Sequence, residues 1–417
     1  MPCRCGFFPF LPICAAAYFL SVSGLFAQTP SPATPSVELL TLEDAVARAL
    51  SANPGIAAAR LRRAIDLAGI DVAAERPNPE VHAEVEKEAP RQTFGLSLPL
   101  ELGGKRGRRI AVAEATLQLG EAELAQTIID LRTQVRRAYF ARVIWEARVA
   151  LLDDLRQLAV RARDAAQARF DVGSSPRLEL LQAQLALAQA ENETSAAQST
   201  VLAARIQLNT LLGLPPDAQL GLASGLDSAL SPTRAVAIAR AQSANAELAV
   251  LDRQIAEQQA RLALAHALRT PDIVPDFTVT RDSQPEFMHG WRVAAAATIP
   301  VFASRRAQVR LEQATLAQLS AQRAAVMARI TGEVTSASAV AEGQRVAYLR
   351  YRDEILPAAI EVERMAEDSY RLGQSGISAL LQALQASRDM RLRSLQTAQD
   401  FQDALSELER VIGAPIP

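Results

Sequence analysis

The feature that most constrains this chain is a stretch that occurs twice. Residues 168–184 read ARFDVGSSPRLELLQAQ, and residues 369–385 read SYRLGQSGISALLQALQ. Gly373 answers Gly173, Tyr370 answers Phe170, and Leu380-Leu381-Gln382 answers Leu180-Leu181-Gln182. In each copy a long helical pattern runs into the glycine, and a second helical pattern begins at once. Glycine after the last periodic residue is the usual stop, because it takes a left-handed conformation without a Cβ penalty. Ser175 and Ser375 then stand where an N-cap of the returning helix is wanted. Each stretch is expected to be the tip of a helical hairpin, at 172–175 and at 373–376.

The duplication extends along the chain. Ala45-Val46-Ala47 is answered by Ala235-Val236-Ala237, Leu98-Pro99-Leu100 by Ile299-Pro300-Val301, and Leu212-Gly213-Leu214-Pro215 by Ile412-Gly413-Ala414-Pro415. The expected layout is a first repeat over 41–216, a joining loop over 217–230, and a second repeat over 231–417. Within them lie strand hairpins at 80–100 and 275–300, rod helices at 103–171 and 301–372, and return helices at 176–212 and 377–412. Thr41 and Asp44 form a capping-box-like pair at the first short helix.

The rod pattern is unusually regular. Ile110, Leu117, Leu124, Leu131, Ala138, Trp145, Leu152, Ala159 and Ala166 recur at intervals of seven, which is the coiled-coil period. At about 1.5 Å per residue this rod is roughly 100 Å long. The second rod has a looser heptad and an interruption at Pro357. The helix after Pro54 and the first return helix together nearly match the rod in length, so they are expected to stack along it.

Two segments per repeat break the helical period. Val81, Ala83 and Val85 alternate with Glu80, His82, Glu84 and Glu86, and Phe94, Leu96, Leu98 and Leu100 alternate with Thr93, Gly95, Ser97 and Pro99. Phe277 and Val279, then Trp291, Val293, Ala295, Ala297 and Ile299, repeat the pattern. Period two means one apolar and one polar face. Allowing for frayed ends, each strand reaches roughly the 8–12 residues of a tilted bilayer-crossing strand. Four strands cannot close a membrane barrel, and an open edge in lipid leaves backbone groups unpaired. Either these hairpins face water, or several protomers share one barrel.

Composition fixes the compartment. Residues 1–27 read as an export signal, with Arg4, an apolar run from Phe7 to Phe26, and small Ala27; residues 28–40 follow as an extended leader. All three cysteines, Cys3, Cys5 and Cys14, lie in the signal, which excludes disulfides and thiolate metal sites from the mature chain. Ile13 before Cys14 is too large for a lipoprotein signal. Net charge is −2, and the arginine runs lack interleaved aromatics, so nucleic acid is not an expected partner. His82, His266 and His289 have no metal-ligand spacing, and Gly103-Gly104-Lys105 lacks a phosphate-loop frame. Neither an enzyme nor a cofactor is expected.

Signal, duplication, strand hairpins, rods and Gly tips together resemble the TolC family of trimeric outer-membrane efflux channels. The tips Phe170-Asp171-Val172-Gly173 and Tyr370-Arg371-Leu372-Gly373 are its most specific pieces. The run Leu98-Pro99-Leu100-Glu101-Leu102-Gly103-Gly104-Lys105-Arg106 is similar to the heavy-metal, CzcC-like branch. The resemblance implies a mainly α fold with a small β part. Three chains would pool four strands each into a twelve-stranded barrel above a tunnel of coiled-coil hairpins. It also implies a homotrimer in the outer membrane of a Gram-negative bacterium, meeting a periplasmic adaptor and an inner-membrane RND-type pump.

Candidate sites follow. Val172, Gly173, Ser174, Ser175, Leu372, Gly373, Gln374 and Ser375 would be the adaptor-docking tips. The acidic gate of the family is replaced by Ala379 and Gln382, so a charged ring at the tip would come from Glu179. Glu80, His82, Glu84 and Glu86 would line the barrel lumen. Lys105, Arg106, Arg108 and Arg109, with Arg305, Arg306 and Arg310, open the rods, where the helix dipole disfavours cations; outer-membrane lipid phosphates would compensate. Drugs, organic solutes and type I secretion are alternative cargoes, and a periplasmic coiled-coil structural protein is the alternative of another class.

Overall fold

A computed structural model describes residues 39–416 apart from 224, 226–232 and 284–286. The signal, most of the leader and part of the joining loop lie outside the described residues.

The first repeat opens with β1 (Leu39–Leu40), α1 (Leu42–Ala52) and α2 (Pro54–Ala74). Thr41 accepts from the Asp44 amide while Asp44 reaches back to Thr41, so the expected capping box is present. A hairpin of β2 (Glu80–Val85) and β3 (Gln92–Ser97) leads into the rod α3 (Lys105–Asp171) and the return helix α4 (Arg177–Leu211). After β4 (Gly221–Leu222) the second repeat runs α5 (Arg234–Ala244), α6 (Ala246–Ala267), β5 (Ile273–Ser283) and β6 (Phe287–Ala297). It closes with α7 (Arg306–Arg350), α8 (Leu356–Arg371) and α9 (Ile377–Ile412). Among the described residues no helix is long and apolar enough to cross a membrane.

The second rod differs from the first. Pro357 has no amide to offer the preceding turn, and the chain answers with one π-helical turn at Tyr351–Ile355 between α7 and α8. The first strands are also shorter than expected, six residues each, whereas β5 and β6 have eleven.

As the lengths implied, α2 and α4 share the rod. Asp66 of α2 sits against Gly120, near the sheet end of α3, and Thr194 of α4 lies 3.4 Å from the Leu152 carbonyl in its far half. Where the two stacked helices meet, α1 closes a core of Ala45, Ala49, Ile56, Val135, Tyr139, Leu208 and Leu212. The second repeat rebuilds this core from Ala237, Ala241, Leu248, Ile330, Val334, Leu408 and Ile412. Heptad positions Leu131, Ala138, Leu152, Ala159 and Ala166 are buried, in accord with the rod pattern. A buried pair, Arg136 with Glu409 at 3.3 Å, ties α3 of one repeat to α9 of the other.

The four longer strands form one antiparallel sheet in the order β2-β3-β5-β6, so the two hairpins join through β3 and β5.

Candidate functional site: a two-faced sheet and paired hairpin tips

The sheet sorts its side chains by register. Val81, Leu96, Phe277 and Val293 lie in one row across the four strands, and Ala83, Phe94, Val279 and Trp291 in the next. The larger of these are exposed, Val81 at 79% and Trp291 at 74%. On the other face the rows are Glu80, Ser97, Asp276, Ala294 and His82, Gly95, Thr278, Arg292. His82 lays its ring over Gly95, where any Cβ would collide with it. Its Nε2 is 3.8 Å from Asp276 Oδ2, and the Thr278 hydroxyl donates to Asp276 Oδ1 at 2.6 Å. Glu80, His82 and Glu84 thus share the polar face, all on the edge strand β2; Glu86 follows just beyond the strand.

An apolar face of this area, exposed in complete rows, is not a feature of a water-soluble sheet. It matches the outward band of a membrane barrel, with the polar face turned inward.

The basic cluster at the start of α3 behaves differently from expectation. Lys105 is buried and its Nζ lies 2.6 Å from Asp272 Oδ2, which joins the two repeats beneath the sheet. Arg106 donates to the Ala74 carbonyl at 2.6 Å, and Arg109 donates to those of Ala73 and Glu75 and to Glu101. The Glu101 hydrogen bond raises the affinity of Arg109 for its proton. Carboxylates of the chain itself thus compensate Lys105 and Arg109, and a carbonyl at the end of α2 holds Arg106, in the place expected of lipid phosphate. Two of them finish α2, whose last carbonyls would otherwise be unpaired and whose dipole favours cations there. Arg108, Arg305 and Arg306 have no such partner among the described residues. Arg305 stands in the left-handed region at φ 53°, where the first repeat has Gly104 at φ 70°.

At the opposite end, both tips close with the same hydrogen bonds. The Gly173 amide donates to the Phe170 carbonyl at 2.9 Å and the Ser174 amide to that of Arg169 at 2.9 Å. Gly373 and Gln374 do the same with Tyr370 and Ser369, at 3.0 and 2.9 Å. This is the Schellman closure, and the glycines hold φ of 72° and 71°. The N-cap expectation fails: the cap positions are Pro176 and Gly376, neither with a side-chain cap, and the hydroxyls of Ser175 and Ser375 have no hydrogen-bond partner among the described residues. Two residues after the glycine is one too early, because the chain needs three to turn.

Sequence reasoning missed the link between the tips. The Arg169 guanidinium lies 5.1 Å from the ring centre of Tyr370, which is buried with Ala162, Ile377 and Leu380. Burial raises the Tyr370 phenol, and Arg169 acts in the opposite sense. Glu179 is half-buried beside them, and its Oε2 has no hydrogen-bond partner among the described residues. Val172 and Leu372 are exposed, at 78% and 66%, and are not part of this buried cluster. Among the described residues no group of three His, Cys, Asp or Glu could hold a metal ion.

The comparisons agree with this geometry. Residues 45–214 match the family model described as outer membrane efflux protein. The cobalt-zinc-cadmium resistance protein CzcC of Cupriavidus metallidurans is 28% identical over 97% of this chain and 99% of its own length. The nickel-cobalt-cadmium resistance protein NccC of Alcaligenes xylosoxydans xylosoxydans is 27% identical over 57% of this chain and 56% of its own. Among solved structures, CusC, whose study concerns folding and transmembrane channel formation, superposes with a TM-score of 0.73 at 16% identity, over 89% of this chain and 92% of its own. The sheet, the rods, the tips and these likenesses coincide in the pattern of an outer membrane efflux protein, which residues 45–214 match.

Proposed function

We propose that this chain is the outer-membrane channel of a tripartite assembly that exports heavy-metal cations. The observation that carries the reading is the sheet, apolar and exposed on one face, polar on the other, with β2 and β6 unpaired at its edges. An open edge in lipid requires closure by further strands. Three copies supply twelve strands, and the polar face becomes the lumen. The cargo rests on the metal named in the two relatives and on the Leu98–Arg106 run. The channel itself is passive, so direction and energy come from an inner-membrane pump through a periplasmic adaptor.

The tips are the adaptor's docking place. Val172 and Leu372 are apolar, exposed and uncommitted, and the glycines beside them meet nothing, so another backbone can approach closely. Arg305 supports a role at the lipid boundary. A non-glycine residue in the left-handed region costs about 1–2 kcal/mol, yet an exposed arginine occupies this one, beside the exposed Ile299, Val301 and Phe302. Guanidinium next to apolar side chains suits a lipid headgroup and its acyl chains.

The test uses cells deleted for this chain and complemented in parallel. Wild-type chain should restore tolerance to cobalt, zinc or cadmium, and Val172→Arg with Leu372→Arg should not, with trimer levels in the membrane unchanged. Restored tolerance to organic toxicants alone would assign the cargo to drugs or solutes. Full metal tolerance in the double variant would remove the tips as the docking place.

A further inference from the structure

One pairing on the polar face of the sheet spans the two repeats. His82 of β2 and Asp276 of β5 are separated by β3, and the imidazole reaches across that strand at Gly95. A Cβ on residue 95 would come within 2.0 Å of Nε2, so glycine is what lets the ring lie there. Asp276 is held as well. The buried Thr278, in the row of His82 and Gly95, donates its hydroxyl to Oδ1 at 2.6 Å. Oδ2 is then left facing Nε2 at 3.8 Å. Each donor is set in place by a neighbour, His82 by the missing side chain at 95 and Asp276 by a hydroxyl.

The separation has a chemical meaning. At 3.8 Å the two atoms are too far apart for a hydrogen bond. A zinc-like cation bonded to each at about 2.0–2.2 Å spans donors roughly 3.4 Å apart at the tetrahedral angle, and a small rotation of either side chain closes the difference. Imidazole nitrogen suits zinc and nickel, whereas magnesium and calcium take oxygen. A carboxylate that is itself hydrogen-bonded is the usual form of such a ligand. Glu80 and Glu84 flank His82 on the same face and are exposed, which adds negative charge. Among the described residues they do not complete a group of three converging donors. Arg292 ends the row on β6, and among the described residues it makes no ion pair with Asp276. Two protein donors leave the other positions of a cation to water. Binding is then weak and release fast, which suits a passage, where an ion must be held enough to enter and loosely enough to leave.

We propose that His82 Nε2 and Asp276 Oδ2 form a two-donor transit site for divalent transition-metal cations on the polar face of the sheet. The part of this site in export rests on the metal-channel reading above, whereas the binding itself needs neither pump nor adaptor. The exposed carboxylates of β2 attract cations of every kind. Only the imidazole distinguishes zinc or nickel from magnesium, so selectivity follows His82.

The test reads His82 directly on the purified full chain in detergent, with zinc chloride or magnesium chloride as the probe. Diethyl pyrocarbonate modifies a free imidazole nitrogen, and peptide mass spectrometry reports each histidine separately. Zinc should slow the labelling of His82 several-fold and leave the exposed His266 unaffected; magnesium should slow neither. In Asp276→Asn, His82 should label at the same rate with and without zinc. Labelling of His82 that zinc does not slow in the unmodified chain overturns the site and leaves an ordinary histidine–aspartate contact. That comparison needs no variant, so it decides the site even where Asp276→Asn fails to assemble. Zinc protection that persists in a folded Asp276→Asn overturns the pairing. Neither pump nor adaptor is present, so either failure leaves the export reading to its complementation test. A chain whose His82 is protected but which restores no metal tolerance would lose the cargo and keep the site.

Discussion

Asn53 and Asn245 perform the same two tasks in the two repeats. Asn53 caps α2 by accepting from the Gly55 amide at 2.8 Å, and its Nδ2 donates to the Leu211 carbonyl at 3.0 Å. Asn245 caps α6 by accepting from the Leu248 amide at 3.1 Å, and its Nδ2 donates to the Val411 carbonyl at 2.7 Å. One side chain thus starts a helix and finishes another 158 or 166 residues away. The stacked helices along each rod are tied at this point. Gly213 and Gly413, at φ of 67° and 79°, bring the return helix so close to the carbonyls of Ala52 and Ala244 that no Cβ fits.

Asn245→Ala should lower stability by about 2 kcal/mol, combining a lost cap of about 1 kcal/mol with an unpaired, buried Val411 carbonyl. Asn53→Ala should cost less, because its bond to Leu211 is only part-buried. Gly413→Ala should cost more than either, since strain and collision add. Thermal unfolding of the three variants in one detergent gives the order directly.

Acid should loosen the contact of α9 with α3. Glu407 is held below the usual carboxylate range by its hydrogen bonds to Arg410, against burial, with Arg137 on α3 adding to the effect. A lowered folded value contributes stability above the ordinary glutamate range, and that contribution is lost as pH falls through the lowered value. Glu407→Gln should therefore melt below wild type at pH 7, and the two melting temperatures should converge as pH falls through the lowered value. A gap that does not narrow as the pH falls would assign the effect to packing.

The parts legible in the sequence were those set by a period or a duplication. Alternation at Phe94, Leu96, Phe277 and Val279 gave the faces of the sheet, and heptads ending at Ala166 gave the rod. The doubled glycines gave both tips. What stayed hidden depends on partners far along the chain. Nothing near Lys105 or Arg109 distinguishes a lipid-facing cation from one bound to Asp272 or to the end of α2. The Ser-Ala-Asn triplets at 51–53 and 243–245 were a signal for the caps, but their second bond, to Leu211 or Val411, requires the fold. Pro357 announced an interruption, though not that a single π-helical turn would absorb it.

The faces of the sheet can be told apart by one charge moved one residue. Leu96 is exposed in the apolar row with Val81, Phe277 and Val293, whereas Ser97 lies in the polar row with Glu80 and Asp276. In lipid, Leu96→Arg places a guanidinium among acyl chains, at a cost of about 2–4 kcal/mol near the midplane and less toward the interface. In a water-filled lumen, Ser97→Arg keeps its charge hydrated and meets Glu80 and Asp276, so it should be close to neutral. Neighbouring positions on one strand share β propensity and strand pairing, so any difference between the variants reports the surrounding medium. Membrane insertion and the urea midpoint of β-structure in vesicles should fall for Leu96→Arg and hold for Ser97→Arg. Equal tolerance of both would mean that water bathes both faces. The hairpins would then be periplasmic, and the chain would cross the membrane by some other means.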